Sequence, residues 1–228
     1  MPAKNSVKQF VENSYYHIYN RGVEKRLIFI DDQDYGVFLS YLKDYLLPKN
    51  ELNLRSVLTG VNSNPKEKAD ALRMLKLNNF TDTIQLLTYC LMPNHFHLLV
   101  KQTDAYSIDT FMNSLSTRYS MYFNKRYKRV GHLFQGTYKA VLIESEAQLL
   151  HLSRYIHKNP FVKGVPLQSY PHSSYQNYLG LKRTEWINFT DIINYFSKSG
   201  FNSYENFVES NLDYDSIDFV KELILDEV

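Results

Sequence analysis

The stretch that decides the fold is TIQLLTYCLMPNHFHLLVK, residues 83–101. Two runs of β-branched, aromatic and aliphatic residues flank Pro93-Asn94, a pair favoured in tight turns. This pattern predicts a β-hairpin. In its second strand His95 and His97 are two residues apart, so both imidazoles project from the same face of the sheet.

Further strands and helices are predicted on both sides of this hairpin. In chain order they are a strand at 15–19, a helix from Asp31 to Pro48, strands at 83–92 and 95–101, a helix from Ser107, a strand at 137–143 and a helix from Ser145 to Pro160. The order is β-α-β-β-α-β plus an extra helix. It predicts an α+β, ferredoxin-like core in which two helices cover one face of an antiparallel sheet and leave the other face open.

Two segments fall outside this order. Residues 48–82 are polar and irregular apart from a short helix that opens at Pro65, and we interpret them as an insertion. Helical fragments follow residue 165. The expected domains are therefore a core at 1–165, with the insertion at about 48–82, and a helical C-terminal extension at 166–228 that ends in an acidic tail.

Composition excludes several classes of protein. The chain has 228 residues, of which 44% are hydrophobic and 22% charged, which excludes global disorder. Cys90 is the only cysteine, so no intramolecular disulfide and no cysteine-based zinc site can form. The first ten residues lack the apolar core of an export signal, and no apolar run reaches about 18 residues. We expect a cytoplasmic protein without a membrane segment.

The net charge of +2 hides an uneven distribution. Residues 205–228 hold eight acids and one base, a net −7, which leaves +9 for the remainder. Residues 110–143 contain six bases, no acid and many aromatic side chains. This composition suits a surface that neutralises phosphates and stacks on bases, but an ordinary solvated helix face and loop fits it equally well.

Two same-face imidazoles form half of a metal site, although such pairs on strands are more often incidental. A third ligand is available on the last predicted helix, where Tyr155 and Asn159 are four residues apart and share a face. The alternatives stay open at this point. Asn159 could merely end the helix before Pro160, and periodicity does not select Tyr155 over the three tyrosines Tyr119, Tyr122 and Tyr138.

Five strings in series resemble the signatures of REP-associated tyrosine transposases, which belong to the HUH single-strand DNA endonucleases. They are YHIYNRG (16–22), YCLMPNHFHLLV (89–100), GHLFQGTYKA (131–140), RYIHKNP (154–160) and SSY (173–175). The resemblance covers residues 16–47 and 83–175. The chain departs from the family pattern at His172, where members often have Trp, and in the length of its insertion.

The resemblance implies a catalytic site and a reaction. His95, His97 and Asn159 would bind a divalent cation, Mg²⁺ or Mn²⁺, and Tyr155 would be the nucleophile. The implied activity is that of a transposase, a metal-dependent nicking and strand-transfer enzyme that forms a 5′-phosphotyrosine intermediate on single-stranded DNA bearing a hairpin. Members act as monomers or as homodimers.

DNA contacts are expected from bases near this site. The candidates are Arg21, Arg118, Lys125, Arg126, Lys128, Arg129 and Lys139, while functional and structural roles are equally open for His132, Gln135 and Tyr138. Two other functions remain possible: a non-catalytic, domesticated module that binds single-stranded DNA or RNA hairpins, and a metal-dependent phosphodiesterase that uses water. The acidic tail could cover the basic groove by mimicking DNA.

Overall fold

A computed structural model describes residues 10–160 and 166–210. Within these two ranges the chain forms four strands and eight α-helices. The strands are β1 (Ser14–Arg21), β2 (Ile84–Met92), β3 (His95–Gln102) and β4 (Lys139–Ile143); the helices are α1 (Asp32–Leu46), α2 (Glu51–Thr59), α3 (Pro65–Lys76), α4 (Ser107–Arg126), α5 (Glu146–Lys158), α6 (Tyr175–Tyr178), α7 (Thr190–Ile193) and α8 (Tyr204–Glu209). The predicted α+β order is confirmed, and every strand boundary lies within about two residues of its expected position.

The four strands form one antiparallel sheet in the order β2-β3-β1-β4. This is the strand order of the ferredoxin-like arrangement predicted from sequence. Register places Tyr19 opposite His97 on one side and opposite Lys139 on the other. Because residues opposite each other in a ladder project from the same face, these three side chains share one face of the sheet.

Helices α1 and α4 cover the first face of the sheet. Their inward side chains, among them Phe38, Leu42 and Phe111, are fully buried against strand residues such as Ile18 and Leu98. Each fully buried aliphatic or aromatic side chain contributes about 1.5–3 kcal/mol relative to an exposed one. This layer is therefore the principal hydrophobic core.

The second face is covered as well, where the ferredoxin-like arrangement alone would leave it open. Leu152 and Ile156 of α5, together with Tyr175 of α6, pack onto Leu87 and Leu99 of the sheet. The composition of β2 explains why the second face is covered, because residues 86–92 of this strand are all buried. Such a strand is apolar on both faces, so an open second face would expose its aliphatic side chains to water.

The insertion is more ordered than expected. Helix α3 begins at Pro65 as predicted, and Asn64 and Glu67 form a capping box at its start. Helix α2 was not predicted. None of its residues is buried and Leu52 is 84% exposed, although Leu54, Val57 and Leu58 follow the i, i+3, i+4 spacing of a helix.

Most of the predicted acidic tail, residues 211–228, lies outside the described residues, together with residues 1–9 and 161–165. The first acids of the tail, Glu205 and Glu209, belong to α8. Glu209 accepts a hydrogen bond from the Tyr175 hydroxyl, and the Gln168 amide donates to both carboxylates. These two acids therefore form hydrogen bonds within the C-terminal extension. In the described part of the chain, no helix is long and apolar enough to cross a bilayer.

Candidate active site

The two strands at the centre of the sheet build one wall of the site. His95 and His97 project from β3, with ring centroids 5.0 Å apart, and His17 projects from the neighbouring β1. His97 is 5% exposed and His17 is fully buried, whereas His95 is half-buried at the rim. Arg21 lies opposite His95 in the ladder and so shares this face.

Helix α5 crosses this face and supplies the other wall. Its N-cap is Ser145, whose hydroxyl accepts a hydrogen bond from the backbone N–H of Gln148, and its apolar stripe is buried against the sheet. Tyr155 lies beside that stripe, with its ring edge-on to His97 at a centroid distance of 5.6 Å. One turn later, Oδ1 of Asn159 is 3.3 Å from Nε2 of His95. The structure thus brings together all four residues singled out as nucleophile and ligands.

The hydrogen bonds of His95 show an unusual feature. Its Nδ1 faces Oδ1 of Asn94 at 2.8 Å, and its Nε2 faces Oδ1 of Asn159. Both amides are oriented by their NH₂ groups, which donate to the backbone carbonyls of Lys25 and Tyr155. Since a neutral imidazole has one N–H, it can donate to only one of these two oxygens. With the proton on Nδ1, the lone pair of Nε2 of His95 faces a lone pair of Oδ1 of Asn159 across 3.3 Å. A cation bound by both atoms would replace this repulsion with two attractive contacts.

The donor set suits a divalent metal ion. Two ligands adjacent on an octahedral ion at about 2.1 Å are about 3 Å apart, close to the observed separation of Nε2 of His95 and Oδ1 of Asn159. In the described ranges no three His, Cys, Asp or Glu side chains are arranged to hold a metal, so the candidate set depends on the amide of Asn159. Imidazole and carbonyl donors together favour Mn²⁺ over the harder Mg²⁺.

Burial keeps the imidazole of His97 neutral. Loss of solvent lowers the pKa of His97 well below its ordinary value, and the neighbouring His95 and His17 add to the effect. The ring is therefore neutral near pH 7. A neutral imidazole retains a lone pair, which is the state a metal requires.

The competing tyrosines have structural hydrogen bonds elsewhere. The hydroxyl of Tyr119 donates to the Ile28 carbonyl, and that of Tyr138 donates to Asp109; burial raises the pKa of both. Tyr122 donates to the buried carboxylate of Asp34. These bonds lie in the α1/α4 layer or at its edge, away from His95 and His97. Among the tyrosines weighed from sequence, geometry favours Tyr155.

Two of the predicted DNA-binding bases form ion pairs with acids of α1 or its N-cap. Arg118 forms an ion pair with Asp44 at 2.7 Å and stacks on the Tyr41 ring. Arg126 forms ion pairs with Asp31 and with the fully buried Asp34. The positive charge of residues 110–143 is thus partly neutralised by acids from α1 and its N-cap. The positions of these two arginines favour a structural role.

The remaining bases have different surroundings. Arg21 and Lys139 lie on the face that carries the histidines, at the ends of β1 and β4. Lys125 and Lys128 are exposed at the end of α4 and just beyond it, and Arg129 donates to the side chain of Asn124. Arg21 and Lys139 are therefore the bases closest to the candidate site in the ladder.

The three residues left undecided from sequence lie in the loop between α4 and β4. His132 and Tyr138 line a groove of about 500 Å³ between α4 and this loop, and Ser116 and Thr117 of α4 line it as well. Gln135 accepts a hydrogen bond from Nε of Arg21. Gln135 thereby connects the loop to the face that carries the site.

Sequence reasoning missed three buried residues around the site. His17 contacts His97, while His157 and Ser174 join the end of α5 to β2. Their signal was present in the strings YHIYNRG, RYIHKNP and SSY. Because each partner lies on another element, spacing alone could not assign these contacts.

Comparison with known proteins found similarity to one family model and to solved structures. The family model described as "Transposase IS200 like" matches residues 66–159, a range that contains both β3 histidines, Tyr155 and Asn159. A solved REP-associated tyrosine transposase bound to a REP hairpin is 12% identical, with a TM-score of 0.46, over 88% of this chain and 96% of that one. A putative transposase from Deinococcus radiodurans R1 is 17% identical, with a TM-score of 0.33, over 69% and 97%. No curated protein matches.

Proposed function

We propose that this protein is a metal-dependent endonuclease and strand transferase for single-stranded DNA that carries a hairpin, and the match of residues 66–159 to the IS200-like transposase model supports this. The observation that carries the proposal is the convergence at one place of a tyrosine and three candidate ligands. Tyr155 lies beside His97, and Asn159 faces His95 across 3.3 Å.

Three neutral side chains would hold the cation: His95, His97 and Asn159. A bound Mg²⁺ or Mn²⁺ would act as a Lewis acid toward a non-bridging oxygen of the scissile phosphate. Neutral ligands leave the full charge of the cation available to the phosphate, whereas carboxylates would reduce it. The Asn159 NH₂ donates to the Tyr155 carbonyl at 3.1 Å, so the third ligand is oriented by the residue that carries the nucleophile.

Tyr155 would perform the displacement. Its hydroxyl oxygen forms a bond to the phosphorus and loses its proton, while the bond from phosphorus to the 3′ oxygen breaks and that oxygen takes up a proton. The products are a 5′-phosphotyrosine and a free 3′-hydroxyl. Because a phenol has a pKa of about 10, the hydroxyl needs precise orientation and a nearby positive charge to react near neutral pH. Reversal with another 3′-hydroxyl rejoins strands.

DNA would be held by the bases that share the site's face. Arg21 and Lys139 flank the histidines, and exposed Lys125 and Lys128 extend the positive surface beyond α4. A single-stranded backbone passing the rim of this face, where His95 is half-buried, would place a phosphate near His95. Because Tyr155 and the three candidate ligands lie on one chain, a monomer would suffice for cleavage, and full transfer would require either successive reactions at this site or two protomers.

The test is a covalent adduct with DNA. Single-stranded hairpin oligonucleotides are incubated with the protein and Mn²⁺, and denaturing gels are scored for protein-linked DNA. The wild type should form an adduct that EDTA abolishes, His95→Ala should form little, and Tyr155→Phe none. Tyr106→Phe is the matched control, because Tyr106 is 79% exposed.

The alternative functions give different results in the same assay. Salt-sensitive DNA binding without an adduct or cleavage would favour a non-catalytic binding module. Cleavage without a covalent intermediate would favour a phosphodiesterase that activates water, with Tyr155 in a structural role. An adduct that persists in Tyr155→Phe would contradict the assignment of the nucleophile.

A further inference from the structure

His17 is a fully buried histidine that contacts the candidate site without being one of its predicted ligands. Its Nε2 lies 2.9 Å from Nδ1 of His97, and the two rings are stacked with centroids 5.1 Å apart. Its ring is also edge-on to Tyr155 at 6.4 Å. The ladder explains this position: His17 is opposite Leu99, two residues from His97 on the same face.

The short distance between the two nitrogens restricts the protons of both rings. A hydrogen bond between two neutral imidazoles contains one proton, so one ring donates and the other accepts. If His17 donated, His97 would carry its proton on Nε2 and would lack the lone pair that binds a metal. If His97 donates from Nδ1, its Nε2 keeps that lone pair.

We propose that His17 is a positioning residue for His97: it accepts the Nδ1 proton and so holds the ring in the tautomer that presents Nε2 as a metal ligand. The inference rests on the proposed metal centre and deepens it. Metal-binding histidines usually donate their second N–H to a carboxylate, a carbonyl or water. Here a histidine on the adjacent strand takes that place.

Packing alone would be the competing role for His17. The two roles can be separated because phenylalanine fills similar space beside His97 but has no acceptor. Glutamine carries an amide oxygen at a reach close to that of Nε2 and can accept the same proton. His17→Phe and His17→Gln therefore form a matched pair, and Ile18→Val, a buried change on the opposite face of the same strand, controls for a small loss of stability.

The readout is Mn²⁺ affinity without DNA, measured by calorimetry and by loss of the free-ion signal in electron paramagnetic resonance. Circular dichroism verifies that each variant is folded. We expect His17→Phe to weaken Mn²⁺ binding about 10–100-fold and His17→Gln to stay within about threefold of the wild type. Ile18→Val should bind as the wild type does. Equal affinity in His17→Phe and wild type, or equal weakening in both His17 variants, would overturn the proposal.

A second measurement applies even where a variant does not fold. In the metal-free wild type labelled with ¹⁵N-histidine, nuclear magnetic resonance should show His97 protonated on Nδ1; protonation on Nε2 would overturn the proposal. This readout also separates the two claims. A folded wild type that binds no Mn²⁺ would contradict the proposed metal centre, while the tautomer of His97 would still decide the role of His17.

Discussion

Nε2 of His157 lies 2.8 Å from Oγ of Ser174, and this bond fastens the end of α5 to the sheet. The Ser174 hydroxyl also accepts from the backbone N–H of Tyr89 in β2, and Nδ1 of His157 pairs with the hydroxyl of Tyr204 in α8. His157 lies between Tyr155 and Asn159 in sequence. The turn that carries the proposed nucleophile and third ligand is thus held from its buried side.

Replacement of Ser174 by alanine should destabilise the fold. It leaves a buried backbone N–H and a buried imidazole without their partner, which costs about 1–3 kcal/mol in the free energy of unfolding. Urea denaturation measures this loss. Ser40→Ala is the control, because Ser40 is exposed and should change stability by less than about 0.5 kcal/mol. Equal stability of the two variants would contradict the anchoring role of Ser174.

Substitution of Arg118 should affect the stability of the fold, whereas substitution of Lys125 should affect DNA binding. Arg118→Ala removes an ion pair with Asp44 and a stacking contact with Tyr41, so the free energy of unfolding should fall by about 1–2 kcal/mol. Its affinity for single-stranded DNA should stay near that of the wild type. Lys125→Ala should show the reverse, weaker DNA binding at unchanged stability. Urea denaturation and fluorescence anisotropy measure the two quantities, and a loss of DNA affinity in Arg118→Ala alone would refute the distinction.

Lys139 should contribute to the salt dependence of DNA binding. Loss of one phosphate contact lowers the slope of log affinity against log salt by about 0.7 for a single strand. Lys139→Ala should show this change in anisotropy titrations between low and moderate salt. Lys43→Ala is the control, because Lys43 is exposed on α1, which covers the opposite face. An unchanged slope in Lys139→Ala would show that Lys139 makes no phosphate contact and would contradict the prediction.

The fold was predictable where local pattern and tertiary structure agree. Pro93-Asn94 between two apolar runs predicted the hairpin, and the stripe at Leu149, Leu152 and Ile156 predicted α5 with its buried face. Helix α2 was missed, because its only apolar signal is the short i, i+3, i+4 pattern of Leu54, Val57 and Leu58, and none of its residues is buried. The covering of the second face was also missed, although the uninterrupted apolar character of β2 contained the signal.

The candidate site was predictable to the extent that its residues share an element. The spacing of His95 and His97, and that of Tyr155 and Asn159, predicts that the members of each pair share a face, whereas the choice of Tyr155 came from the family resemblance. Contacts between distant segments were not predictable in the same way. The acids that neutralise Arg118 and Arg126 come from α1, and His17 meets His97 only through the register of β1 and β3.

The central claim is that Tyr155 forms the covalent bond to DNA, and peptide mapping tests it most directly. Trypsin cleaves after Arg154 and Lys158, which releases Tyr155 in the peptide YIHK, and residues 140–154 contain no other tyrosine if the first cut is missed. The adduct formed with Mn²⁺ and a hairpin oligonucleotide is digested with nuclease and trypsin and analysed by mass spectrometry. We predict a residual nucleotide on Tyr155 in this peptide. A nucleotide on any other peptide would contradict the account.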